Sequence, residues 1–277
     1  QGVDIVFHQA ASGYVGSQEN SLRNVFDDAA TGTCVLFDTI KDFKLPIKKV
    51  VTASSMAVYG ESSYLKPDGS VFTPSQYRSA ERMANGDYEM YADDGSRCQA
   101  FGITEERQLL PSHPYHLAKF IQEKVTLASG RDLGIPTVAL RYSICHGPRQ
   151  SIRNPYSGVV SIFATRIING KRPVVFEDGK QLRDFVYVED VARANICVMQ
   201  SAKAKWEVYN VGTNRGGDTM NDVASLMCKY LSKGNTSLTP LHNGAFRVFD
   251  TRHILLDASK LMALGWKPKY TLEEGLK

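Results

Sequence analysis

Three side chains in this 277-residue sequence have the types and the spacing of an acid–base site: Ser55, Tyr115 and Lys119. Tyr115 and Lys119 are four residues apart, so on a helix they lie on one face, one turn apart. An ammonium beside a phenol stabilises the phenolate and lowers the phenol's pKa from about 10 towards neutral pH. Such a tyrosine can act as a base, and a serine hydroxyl can hydrogen-bond the oxygen that loses its proton. We therefore predict that these three residues are catalytic.

The segment that leads to Ser55 helps to choose between this interpretation and a plainer one. On an amphipathic helix, a tyrosine four residues before a lysine is also typical of a core aromatic beside a solvated lysine. Residues 50–55, however, form a short apolar run that ends in Ser54 and Ser55, which predicts a buried parallel strand. Active sites of open α/β sheets lie at the carboxyl ends of such strands. This context favours the active-site interpretation.

Together the two motifs resemble the extended short-chain dehydrogenase/reductase family, the nucleotide-sugar epimerases and dehydratases. The motifs are residues 52–60 and 114–119. The resemblance implies an α/β fold with a Rossmann-like doubly wound parallel sheet, a smaller α/β substrate-binding lobe, and NAD as the cofactor. With the long segment that follows Glu61, the sequence most resembles the dTDP-L-rhamnose 4-epimerase-like members.

Residues 3–11 predict a strand that runs into small residues. One interpretation makes Ala10, Gly13 and Gly16 a degenerate phosphate-binding loop. In the resembled family that loop lies much further from the serine motif than Ala11 lies from Ser55. The resemblance therefore favours the family's later His-x-Ala-Ala element, where small residues let the dinucleotide approach. On this interpretation the Rossmann lobe is amino-terminally incomplete.

The next two segments predict a helix and an insert. Residues 17–43 carry an apolar stripe typical of a helix, and Ala29 stands where the resembled family has asparagine. Residues 62–105 are rich in proline, glycine and aspartate, which predicts a loop-like insert over the substrate side. Its one cysteine, Cys98, cannot build a zinc site by thiolates alone.

The resemblance assigns cofactor contacts to six residues near the predicted sheet: Ala10, Ala11, Ser54, Tyr115, Lys119 and Tyr142. Two positions after Tyr142 depart from the family pattern. Ser143 replaces an aromatic residue beside the nicotinamide, and Ile144 replaces an asparagine that contacts the sugar nucleotide.

The resemblance also assigns substrate contacts to four residues: Val159, Phe176, Arg183 and Arg247. Phe176 would stack on the nucleotide base, and the two arginines would bind the diphosphate. An arginine fork matches phosphate oxygens in pairs. For Arg183, a surface salt bridge to Asp184 or another neighbour stays open.

The same resemblance implies the domain organisation. Residues 1–150 form a partial NAD-binding lobe, residues 151–188 and 213–277 form the substrate-binding lobe, and residues 189–212 return to the first lobe. It further implies a homodimer that pairs through the helix of Tyr115.

The composition and charge of the chain argue against several classes of partner. The formal net charge of +4 is mild and no basic cluster is present, which argues against nucleic acid. Five scattered cysteines suit reduced thiols, and no apolar run reaches membrane-spanning length, so we expect a cytoplasmic protein without membrane contact. The histidines at 113, 116 and 146 lack metal-ligand spacing, so we expect no metal site.

The predicted activity is epimerisation of a nucleotide-diphosphate sugar at C4 by transient oxidation to a keto sugar. A non-catalytic homologue that binds a sugar nucleotide or a partner chain is the alternative, supported by Ala29, Ser143 and Ile144. A dehydratase fits less well, because that branch has an acid pair where Met56 and Ala57 stand.

Overall fold

The computed structural model describes residues 2–11, 22–151, 158–248 and 250–277. The predicted helix start at 17–21, the alternative loop glycines Gly13 and Gly16, and position 249 lie outside the described residues. The strands are β1 Ile5–His8, β2 Lys49–Ser55, β3 Tyr64–Leu65, β4 Val71–Phe72, β5 Gln99–Ala100, β6 Gly102–Ile103, β7 Thr137–Tyr142, β8 Ile144–His146, β9 Val174–Val175, β10 Leu182–Arg183, β11 Phe185–Tyr187, β12 Glu207–Val211, β13 Asp218–Thr219, β14 Leu241–His242 and β15 Leu255–Leu256. The α-helices are α1 Leu22–Phe26, α2 Gly32–Asp42, α3 Ala80–Ala84, α4 Pro114–Asp132, α5 Val159–Ile168, α6 Val188–Gln200, α7 Met220–Leu231, α8 Ser259–Met262 and α9 Leu272–Leu276.

Parallel strands in the order β1-β2-β7-β12 form the central sheet. Successive side chains of a strand point to opposite faces. On β2, Val51 shares a buried core with Val198 of α6, whereas Val50 shares one with Phe37 of α2. Helices therefore cover both faces, which confirms the predicted Rossmann-like doubly wound α/β fold.

A second buried core lies outside this sheet, where α5, α7 and α9 meet; it includes Phe163, Met227 and Leu272. The predicted domain boundaries stay a prediction. Part of the segment assigned to the second lobe belongs structurally to the first, because Leu261 and Trp266 pack in the core of the central sheet.

The predicted helix over 17–43 is interrupted. A π-helical turn, Asp27–Thr31, joins α1 to α2. Ala29 lies in this turn and is buried in a small cluster with Ala118 of α4. The methyl group therefore serves close helix packing at a position where the family pattern predicts a polar side chain.

The insert at 62–105 differs from the predicted loop. Strands β3, β4 and β5 form a small antiparallel sheet, and Tyr64, Met90 and Cys98 fill a core of their own beside it. Lys66 and Asp94 pair at 2.6 Å between two of its turns. Strands of two residues are too short to show periodicity in a sequence.

His146 is a buried histidine without a polar partner. Its side chain packs edge-on against Phe185 and Tyr187, and neither ring nitrogen meets a hydrogen-bond partner among the described residues. Burial lowers the pKa of His146 to about 4 from its ordinary 6.5. The imidazole is therefore neutral in the folded chain at neutral pH.

We expect His146→Leu to flatten the acid side of the stability profile. As pH falls from 6.5 towards about 4, the unfolded chain binds a proton at His146 that the folded chain does not, so the free energy of unfolding falls by up to about 3 kcal/mol. Urea denaturation at pH 7 and pH 4.5 measures this loss, which should be smaller in the variant. His242→Leu, at an exposed site, is the control; an equal effect of both variants would contradict the prediction.

Candidate active site

Ser55 and Tyr115 meet at the carboxyl end of the central sheet. Ser55 is the last residue of β2, and Tyr115 lies in the first turn of α4, where the His113 ring caps the Tyr115 N–H at 3.3 Å. The Ser55 hydroxyl accepts the N–H of Ala57 at 3.1 Å and lies close enough to the Tyr115 phenol to lower its pKa. Both side chains are only partly buried, so the pair stays open to a ligand.

Lys119 lies one turn further along α4 and is 4% exposed. Its ammonium donates to the carbonyl oxygen of Ala53 and to Oε1 of Gln122. Burial lowers the pKa of Lys119 to about 8, and the neighbouring Glu123 carboxylate opposes that shift. Since an ammonium has three donors and two acceptors are present among the described residues, one donor is left for a ligand.

The predicted lowering of the phenol's pKa by Lys119 is wrong for this structure. Burial raises the pKa of Tyr115, and the neighbouring Ser55 hydroxyl opposes the rise. The physical reason is the direction of the ammonium, which is turned towards Ala53 and Gln122. In the structure as it stands, Tyr115 is a neutral phenol at neutral pH.

Ser54 does not line the open site. It is 3% exposed and donates to Oε2 of Glu123 at 2.7 Å. Arg141 at the end of β7 holds the same carboxylate with a fork, Nε to Oε2 at 2.9 Å and Nη2 to Oε1 at 2.7 Å. The structure therefore makes Ser54 part of the buried join between α4 and the sheet, whereas the sequence assigned it to the cofactor.

Gln122 and Glu123 are functional positions that sequence reasoning missed. Gln122 binds Lys119 and also donates to the carbonyl oxygen of Ala10 at 3.0 Å. The only sequence signal was their spacing, since Glu123 follows Lys119 by four residues and so shares its helix face.

We expect Glu123→Gln to destabilise the fold by about 3 kcal/mol, because a buried Arg141 loses its ionised partner. The pKa of Lys119 should also fall below about 8, since Glu123 is the group that raises it. Chemical denaturation measures the first effect and the pH dependence of lysine acylation at Lys119 the second. Lys48→Met breaks an exposed pair with Asp4 and should cost less than about 1 kcal/mol; equal losses would refute the assignment.

The remaining predicted cofactor contacts also lie at the carboxyl edge of the sheet. Tyr142 pairs with Ser55 in the register of β2 and β7. Its hydroxyl donates to Gln9 at 3.1 Å and is bonded to Asn195 of α6. Ala10 is exposed after β1, so its small side chain leaves the edge open. Ala10, Tyr115 and Tyr142 thus lie at the edge where open α/β sheets bind their ligands, and their contacts with a dinucleotide stay a prediction.

The predicted substrate contacts lie in the second lobe. The guanidinium of Arg247 lies over the ring of Phe176, 5.1 Å from its centroid. Arg183 donates to the carbonyl oxygens of Arg252 at 3.0 Å and Thr251 at 2.6 Å. Val159 opens α5 and is partly buried.

The alternative for Arg183, a salt bridge to Asp184, is not what the structure shows. The carboxylate of Asp184 is buried and accepts the N–H of Thr213 at 3.0 Å, while Arg183 bonds to main-chain oxygens. Burial lowers the pKa of Arg183, and carboxylates around it oppose that shift.

The described residues contain no group of three or more histidine, cysteine, aspartate or glutamate side chains arranged to hold a metal ion. None of the helices in the described ranges is long and apolar enough to cross a bilayer. The five cysteines are free thiols.

A Rossmann-like sheet with polar side chains at its carboxyl edge is typical of dinucleotide-dependent enzymes. The model of the NAD dependent epimerase/dehydratase family matches residues 1–103 and 88–212. The chain belongs to this family, which confirms the resemblance.

Individual relatives agree with this assignment. A dTDP-L-rhamnose 4-epimerase from Burkholderia thailandensis is 31% identical over 99% of this chain and 73% of its own. The crystal structure of a UDP-glucose 4-epimerase from Thermotoga maritima with UDP-glucose aligns at 29% identity and a TM-score of 0.77, over 99% of this chain and 75% of its own. A Thermus thermophilus UDP-glucose 4-epimerase in complex with NAD aligns at 27% identity and a TM-score of 0.74, over 98% and 75%.

Proposed function

We propose that this protein epimerises a nucleotide-diphosphate sugar at C4, with NAD as its cofactor. The observation that carries the proposal is the meeting of Ser55 and Tyr115 at the carboxyl end of β2, with Lys119 one turn away on α4. The family membership and the 4-epimerases among the relatives support the reaction class.

Each residue has a separate task in the proposed reaction. Tyr115 takes the proton from the C4 hydroxyl, and Ser55 donates a hydrogen bond to that oxygen. A bound NAD would supply the hydride acceptor and donor for C4. Lys119 and Tyr115 would hold the nicotinamide ribose. Because Tyr115 is neutral in the chain alone, Lys119 must also turn a second donor away from Ala53 or Gln122 to reach both the phenol and the ribose.

We expect Tyr115→Phe to lower turnover by at least about 100-fold, the scale of a lost general base, while sugar-nucleotide affinity changes little. Interconversion of UDP-glucose or dTDP-L-rhamnose with its C4 epimer, with NAD⁺ present, is followed by chromatography. Tyr77→Phe removes an exposed phenol in the insert and should keep full activity. Full turnover by Tyr115→Phe would disprove the role.

A second candidate function is sugar-nucleotide binding without turnover. Two observations favour it: burial raises the pKa of Tyr115, and the ammonium of Lys119 is already engaged by the protein. Ser143, in place of an aromatic, is turned away to the carbonyl oxygen of Asp184 at 2.6 Å. Calorimetric titration with NAD⁺ and with UDP-glucose separates the two functions, because only the enzyme needs both ligands.

The nucleotide side of the site is open to a separate test. In either function, we expect Arg247→Met to weaken binding of UDP or dTDP by about tenfold or more, because a charge-assisted hydrogen bond to phosphate is lost. Lys233→Met removes another exposed positive charge and should leave the dissociation constant within twofold. Equal weakening by both variants would show that the effect comes from net charge and not from a contact between Arg247 and the phosphates.

The assembly and location of the protein stay proposals. A homodimer through α4 is supported by Leu117, which is 38% exposed on that helix. A cytoplasmic location is supported by five cysteines that form no disulfide.

A further inference from the structure

Arg78 is a buried cation that the insert extends into the second lobe. It is 7% exposed and comes from the segment just before α3. Its two terminal nitrogens grip the carboxylate of Glu177, Nη1 to Oε2 at 3.0 Å and Nη2 to Oε1 at 2.6 Å. This fork is the bidentate geometry in which arginine binds carboxylates most strongly. Since both groups are desolvated, neither has water to replace its partner.

Glu177 directly follows Phe176 and has an unusual backbone. Its φ of 54° lies in the left-handed region, which residues other than glycine seldom adopt. The side chain is held by Arg78 and, at 2.9 Å, by Nη1 of Arg252. The two arginines therefore fix the backbone conformation that orients the Phe176 ring.

The same contacts reach the segment that carries Arg247. The N–H of Glu177 donates to the carbonyl oxygen of Ala245 at 2.8 Å, and Nη2 of Arg78 donates to that of Asp250 at 2.8 Å. Arg78 thus holds this segment on both sides of Arg247, through Glu177 on one side and directly on the other. Arg247 lies over Phe176, so one guanidinium from the insert fixes both members of the stacked pair.

We propose that Arg78 is a positioning residue for the nucleotide site, and that the insert sets the geometry of the Phe176–Arg247 pair. This inference rests on the proposed function, in which Phe176 takes the base and Arg247 the diphosphate. It adds a role for the insert, which the reaction itself does not use.

The test is a double-mutant cycle on nucleotide affinity in the full chain, with UDP and dTDP as the probes in calorimetry. Arg78→Met should weaken the tighter-binding probe by about tenfold, within the range that a base-stacking platform contributes. Arg78→Lys keeps the charge but loses the fork, so its affinity should lie between those of the wild type and Arg78→Met. In a Phe176→Leu background, Arg78→Met should weaken binding by a smaller factor than in the wild type, because one of the two side chains that Arg78 positions is gone.

Arg82→Met is the matched control. Arg82 lies in the same insert, but it pairs with Asp87 at 2.7 Å and stacks on Tyr91, so its loss should leave affinity within twofold. If turnover is measurable, Arg78→Met should raise KM and leave kcat within twofold, a split that a general loss of folding does not give.

The outcomes distinguish a failure of the positioning role of Arg78 from a failure of the proposed nucleotide site. Wild-type affinity in Arg78→Met, or full multiplication of the Arg78→Met and Phe176→Leu effects, overturns the positioning role. If Arg78→Met does not fold by circular dichroism, Arg78→Lys decides: at least threefold weakening supports the role and no change overturns it. If the wild-type chain binds neither UDP nor dTDP, the nucleotide site itself fails.

Discussion

The buried ion pair between Glu123 and Arg141 holds the candidate active site together. Arg141 comes from the end of β7 and Glu123 from the middle of α4, and Ser54 of β2 donates to the same carboxylate. This carboxylate therefore joins a helix to two neighbouring strands. Because Glu123 lies on the helix face of Tyr115 and Lys119, fixing it also fixes how far both catalytic side chains lie from the strand end that carries Ser55.

The same contacts between α4 and the sheet have opposing effects on the pKa of Lys119. Burial against β2 lowers the pKa of its ammonium to about 8, while Glu123 counteracts the shift. The ammonium satisfies its charge with main-chain and amide oxygens, from Ala53 and Gln122. A lysine with a pKa near working pH can lose or redirect a donor when a ligand arrives, whereas an arginine would stay charged. Burial thus explains both the neutral Tyr115 and the capacity to change it.

The sequence was sufficient for local features and short spacings. Tyr115 and Lys119 are one turn apart on any helix, and a strand that ends in Ser55 has only one edge at which to place it, so their proximity was predictable. The partner of Ser54 was not predictable. Alternation along a strand shows which face of the sheet a side chain lies on, but not which charged residue of a distant segment packs against that face. The acceptors of Arg183 could not be predicted for the same reason: they include main-chain oxygens at 251 and 252, and residue types do not show where a carbonyl group will lie.

The insert shows how a long segment can be read wrongly as loop. Its strands are too short to show periodicity, and its proline and glycine content is typical of a loop. The structure shows instead an ordered segment whose Arg78 binds Glu177 of the second lobe. Buried ion pairs need nearly complete desolvation and full pairing to be tolerated. Glu177 meets both Arg78 and Arg252, and Arg252 also binds Asp178. Removing the insert would leave Glu177 and Asp178 sharing one arginine and open to water, so the segment that carries Phe176 would lose the contacts that hold its left-handed turn.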